Sequence, residues 1–227
     1  MEQSDSHRMR RPRTRQPELA FRTWGGARRG AGRKPSGSRA RVSRRARPSH
    51  AAGDPLHVMI RLRAGLPSLR RKETRNAIAR AFDLGGDRFG FRLDQFSLQS
   101  NHIHLIAEAE DRASLSRGMQ GLLVRVARAL NRLWRRRGSV FADRFHARDL
   151  RTPREVRAAL VYVLNNARRH GVRLLGIDPY SSGWWFDGWK EDLRSVLLPP
   201  SSSARSWLLR EGWRRWGRIG LRESPSR

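Results

Sequence analysis

The stretch Asn101-His102-Ile103-His104-Leu105-Ile106 decides how this chain is read. Its two histidines flank one apolar residue, and on a β-strand such a pair projects from one face because side chains alternate with period two. The spacing predicts a strand from His102 to Glu108, joined by a short turn around Ser100-Asn101 to a preceding strand over 89–98. Two imidazoles on one face make a metal clip, and the same spacing also suits a hydrated polar face.

The best-marked helix lies further on. Thr152-Pro153-Arg154-Glu155 combines a capping box with proline at the first helical position, and Gly171 supplies a stop. Val156, Leu160, Val163 and Ala167 form its apolar stripe, and Tyr162 and Asn166, four residues apart, share an adjacent stripe. A phenol at the rim of a buried face is held by the core and still open to a groove. Its amide neighbour one turn later can add an oxygen ligand to the same small volume.

Between these landmarks the pattern alternates strands and helices. Leu56, Val58, Ile60 and Leu62 alternate with polar positions as in a half-buried strand, and Ser68 is positioned to cap a helix running to Leu84. Ser114 opens the longest helical pattern, through Leu115, Met119, Leu122, Val126, Leu130 and Leu133, and 140–150 fits a strand with Arg144 and Arg148 on one face. The order strand, helix, strand, strand, helix, strand predicts an α+β fold, a ferredoxin-like antiparallel sheet with helices on one face and the other face open.

Composition separates three regions. Residues 1–54 form a basic arm predicted to be disordered, 55–175 the sheet-and-helix domain, and 176–227 an extension rich in tryptophan and arginine. Within the first 50 residues 15 are basic and three acidic, and Arg28, Arg29, Arg33 and Lys34 lie in a Gly/Arg run of the kind that enters a minor groove. In the extension, 205–218 reads as an amphipathic helix that packs on the domain or stacks unpaired bases through its tryptophans.

The 227 residues carry a net charge of +29, from 49 basic residues of which three are lysine, so a polyanion is the expected partner. Guanidinium suits bidentate phosphate contacts. Absence of cysteine excludes disulfides, thiolate nucleophiles and zinc ribbons, and no apolar run reaches the roughly 20 residues of a membrane span. The chain is therefore expected in the cytoplasm, at the nucleoid.

A basic chain with a histidine pair, a tyrosine and an asparagine points to metal-assisted attack on a phosphodiester. His102, His104 and Asn166 would ligate Mg²⁺ or Mn²⁺, and Tyr162 would displace a 3′-hydroxyl to leave a 5′-phosphotyrosine. The histidine block resembles the HUH motif of single-tyrosine transposases. Phe141-Ala142-Asp143-Arg144-Phe145 and Tyr162-Val163-Leu164-Asn165-Asn166-Ala167-Arg168-Arg169-His170-Gly171 resemble later blocks of the REP-associated branch, whose members act on palindromic repeats.

That resemblance covers residues 55–175. It implies an HUH fold, a divalent cation, and cleavage and joining of single-stranded DNA near a hairpin, with Tyr162 as nucleophile and His102, His104 and Asn166 as metal ligands. Arg144, Arg148, Arg168 and Arg169 join the arm as candidate DNA contacts. The sequence departs from relatives at Ser100 and Ala167, where they commonly carry proline. Two other readings stand beside this one: a hairpin-binding regulator that does not cut, and an arginine-rich RNA-associated protein. Whether one or two subunits act is open.

Overall fold

The computed structural model describes residues 50–169, 171–192 and 203–224. The candidate arm contacts Arg28, Arg29, Arg33 and Lys34 lie outside them. In chain order the elements are β1 (Leu56–Arg61), α1 (Lys72–Asp83), β2 (Asp87–Arg88), β3 (Phe91–Leu98), β4 (His102–Ala109), α2 (Arg112–Leu133), β5 (His146–Asp149), α3 (Pro153–Leu164), α4 (Asn166–Arg169) and α5 (Trp207–Arg210). Two 3₁₀ turns, Ser182–Trp185 and Gly212–Trp216, complete the description.

The strands form one antiparallel sheet in the order β2-β3-β4-β1-β5. Four of them reproduce the expected ferredoxin-like arrangement, and β2 adds a two-residue edge. Alternation then sorts the side chains. Val58 opposite Leu105 and Ile60 opposite Ile103 face α1 and α2, where Ile78, Phe82, Met119, Leu122 and Val126 bury them. Gly118 brings α2 close to the sheet, since a Cβ there would run into the Phe91 ring.

The opposite face carries His57, Met59 and Arg61 of β1 beside Ile106, His104 and His102 of β4. It is not open, as the sequence had suggested. Ile106 packs with Val156, Leu160 and Val163 of α3 and with Trp189, Leu209, Trp213 and Ile219 from the C-terminal segment. The α3 stripe is apolar enough to need cover of its own, and that segment supplies it.

Local chemistry explains where elements start and stop. α3 begins at the capping box: Thr152 Oγ1 accepts from Glu155 N at 3.2 Å, and the Glu155 carboxylate accepts from Thr152 N at 3.1 Å. α2 starts earlier than Ser114, because the Asp111 carboxylate accepts from Ser114 N at 2.6 Å and suits the positive end of the helix. α1 starts at Lys72, since Ser68 Oγ caps only a turn, accepting from Arg70 N. The expected strand over 140–150 shortens to β5: Phe141 makes an isolated bridge to Leu62, and then the Asp143 side chain accepts from Arg144 N, a local bond that competes with the ladder. The expected helix over 205–218 breaks near Gly212, where Trp213 turns inward and donates Nε1–H to Leu209 O at 2.9 Å.

The segment after 176 is tied to the sheet. Arg70 donates two bonds to the Asp178 carboxylate, at 2.9 and 2.8 Å, and a third to Leu98 O at 3.1 Å, with the Tyr180 ring 4.5 Å from its guanidinium carbon. Asp178 is 3% exposed. Asp178→Ala leaves a partly buried guanidinium without its counter-ion, and we expect it to cost about 3 kcal/mol in urea unfolding. A loss below about 1 kcal/mol, the size of an exposed pair, would contradict this.

Candidate active site

Three elements converge on His104. β4 holds it as its third residue, 2% exposed, with His102 two residues earlier and the two ring centroids 4.8 Å apart. β1 brings His57, whose Nε2 lies 3.1 Å from His104 Nδ1 and whose ring stacks on His104 at 5.2 Å. α3 crosses this face and sets the Tyr162 ring edge-on to both, 5.1 Å from His104 and 5.5 Å from His57.

The hydrogen bonds constrain the tautomers. Burial, then the charge of Arg148 and of His146, pushes the His57 imidazole down to about 4, so at neutral pH His57 is uncharged and its Nε2 can accept from His104 Nδ1–H. His102 Nδ1 lies 2.8 Å from Asn101 Oδ1, an acceptor that draws its proton to that nitrogen. With the proton on Nδ1, each member of the pair would present Nε2, the nitrogen that a metal would take.

Asn166 is fully buried at the start of α4, and neither its amide oxygen nor its nitrogen has a partner among the described residues. A buried amide left so costs about 1–3 kcal/mol, which an oxygen bound to a cation would offset. An amide oxygen one turn beyond Tyr162, taken with the two imidazoles of β4, is the mixed N/O donor set that a divalent cation accepts. Among the described residues no three His, Asp or Glu side chains form a metal cage, so an amide ligand would have to complete any such set.

The adjacent Asn165 has the opposite task. It ends α3 and donates Nδ2–H to Gly220 O at 3.1 Å and Glu223 O at 2.9 Å. Arg157 of α3 pairs with Glu223 at 2.6 Å and donates to Gly217 O at 2.9 Å. Tyr162 is thus held from behind by the C-terminal segment.

The candidate DNA contacts separate. The Arg169 guanidinium carbon stands 5.4 Å from the Tyr162 ring centre, exposed. Arg148, exposed on β5, is the register partner of His57. Arg168 turns back to donate to Gly176 O at 3.0 Å, and Arg144 sits before β5, outside the sheet. Of the tryptophans considered for base stacking, Trp189 and Trp213 are core, 3% and 1% exposed, whereas Trp184, Trp207 and Trp216 are open to solvent. His57, a polar position of the first strand, is brought beside His104 by the β1–β4 register.

Residues 56–166 match the family described as "Transposase IS200 like". Among solved structures, that of a REP-associated tyrosine transposase bound to a REP hairpin superposes with a TM-score of 0.50 at 16% identity, covering 73% of this chain and 93% of that one. Among curated proteins none matches. No helix among the described residues is long and apolar enough to cross a membrane.

Proposed function

We propose that the chain cleaves and rejoins single-stranded DNA beside a hairpin through a covalent bond to Tyr162. The observation that carries the reading is the edge-on placement of the Tyr162 ring against His104, on a strand whose neighbouring histidine, His102, shares its face. The hairpin-bound relative and the charge of +29 support DNA as the partner.

Tyr162 Oη attacks the scissile phosphorus, the P–O3′ bond breaks, and the departing strand keeps a 3′-hydroxyl while its neighbour becomes a 5′-phosphotyrosine. The reverse attack by a 3′-hydroxyl reseals a strand and releases the tyrosine. Mg²⁺ or Mn²⁺ held by His102, His104 and Asn166 would polarise the phosphate and offset charge in the transition state. Arg169 and Arg148 flank the site with exposed guanidinium groups suited to the flanking phosphates.

His57 is the positioning residue of this scheme. Its Nε2 lies 3.1 Å from His104 Nδ1, and accepting a hydrogen bond there would leave His104 Nε2 as the nitrogen that holds the cation. His57→Phe keeps a ring and removes the acceptor; we expect Mn²⁺ affinity, read by electron paramagnetic resonance on the protein alone, to fall about 10–100-fold, with His57→Gln restoring part of it. Unchanged affinity in His57→Phe would remove the role.

The reading is tested by incubating the protein with labelled single-stranded hairpins in Mn²⁺ or Mg²⁺ and resolving the products on denaturing gels. A protein-linked band lost in Tyr162→Phe is the expected result. Tight hairpin binding with no adduct would replace the proposal with a non-cutting hairpin-binding regulator.

A further inference from the structure

On the far side of α3 from Tyr162 the structure holds a second polar site. A cavity of about 460 Å³ opens between β3, α3 and the C-terminal segment, with Asp94, Gln95, Trp185, Phe186, Leu160 and Trp213 among its walls. Leu160 and Tyr162 are two positions apart on the helix and point to opposite flanks, so the cavity and the histidine site are separate.

Its carboxylate is built in. The β3–β4 register shifts between Leu93 and Gln95, leaving Asp94 as an extra residue, and this bulge lets Asp94 and Gln95 both line the cavity while Phe91, Leu93 and Phe96 stay in the α1–α2 core. A relay fixes its neighbour: Phe96 N–H donates to Ser182 Oγ at 2.8 Å, Ser182 Oγ–H donates to Gln95 Oε1 at 2.6 Å, and the Gln95 amide donates to Asp94. Asp94 is 7% exposed, and the Trp185 Nε1–H, also buried, has no acceptor among the described residues. Burial, then the nearby Glu108 charge, pushes the Asp94 carboxyl up to about 7. A buried carboxylate and an unused indole donor in one aromatic-walled cavity are costly unless a ligand completes them.

We propose that this cavity takes one unpaired guanine of bound single-stranded DNA. Guanine alone among the DNA bases offers two adjacent N–H donors, at N1 and N2, which match the two acceptor oxygens of a carboxylate, and its O6 can accept from Trp185 Nε1–H. Adenine and cytosine present one amino group beside an acceptor, and thymine one N–H between two carbonyls. Phe186, Trp185 and Trp213 supply aromatic wall for the ring, and Arg210, exposed at the rim, suits the phosphate. Arg214 at the same rim is bonded to Asp187 at 2.8 Å. The inference rests on the reading of the chain as a single-stranded DNA binder and adds a base preference.

The test uses the full chain with a metal chelator, so that no strand is cut, at about 0.2 M salt to suppress sequence-blind binding. Five-nucleotide thymidine strands carrying guanine, hypoxanthine, adenine or cytosine at the centre are titrated against tryptophan fluorescence. The guanine strand is expected to bind at least about tenfold tighter than the other three, hypoxanthine failing because it lacks the N2 amino group. Asp94→Asn should abolish the preference, and Trp185→Phe, which keeps an aromatic ring, should reduce it. Equal binding of all four strands, no measurable binding, or a preference that survives both substitutions overturns the inference. Guanine preference without an adduct on hairpins would remove only the cleavage reading; an adduct without guanine preference would remove only this one.

Discussion

Replacing His102 and His104 together by alanine is expected to reduce strand cleavage at least about a thousandfold while hairpin binding persists, because the loss falls on charge stabilisation in the transition state. The two rings share one face of β4 4.8 Å apart, and each has its Nδ1 engaged, His102 by Asn101 and His104 by His57. Both substitutions therefore remove the nitrogens proposed to hold a cation and leave the exposed arginines proposed to meet phosphate. Cleavage in single turnover and hairpin affinity by filter binding read the two effects separately. Retained cleavage would remove the metal from the scheme, and a parallel loss of hairpin affinity would show that the histidines serve the fold or the DNA instead.

The second large effect is structural. Trp213→Ala should destabilise the chain by about 3–5 kcal/mol in urea unfolding, a large part of the 5–15 kcal/mol typical of a folded domain. Trp213 is 1% exposed, its ring centre lies 5.4 Å from that of Phe186, and Nε1–H reaches Leu209 O. It belongs to the cluster that covers α3, so the loss extends to the helix that presents Tyr162. If the C-terminal segment were only an appended DNA-binding tail, the same substitution would leave the unfolding midpoint in place.

The parts of this fold that were legible in the sequence are those set by local rules. Period-two alternation placed β1 and β4, the Thr152-Pro153-Arg154-Glu155 box placed the start of α3, and the two stripes of α3 put Tyr162 at its rim. Of what failed, one part was local and the rest depended on contacts distant in sequence. Asp111, not Ser114, caps α2, because two candidates three residues apart compete and the carboxylate gains from the helix dipole. The open sheet face filled because α3 and Trp213 both needed cover, which no local pattern announces.

Within the site, His57 became informative only when register set it opposite Ile106 and beside His104. Asn165 and Asn166 look alike in sequence. The structure gives the first to the C-terminal segment and buries the second without a partner among the described residues. The bulge at Asp94 has no signature at all, since a strand with one extra residue reads like one without it.

The most direct test of the account is to locate the covalent bond. Protein incubated with a hairpin in Mn²⁺ is digested with protease and nuclease, and the modified peptide is sequenced by mass spectrometry. A nucleotide 5′-phosphate on the Tyr162 side chain, absent from Tyr162→Phe, is the predicted result. A nucleotide on Tyr180, or no linkage where the strand is nonetheless cut, would contradict it.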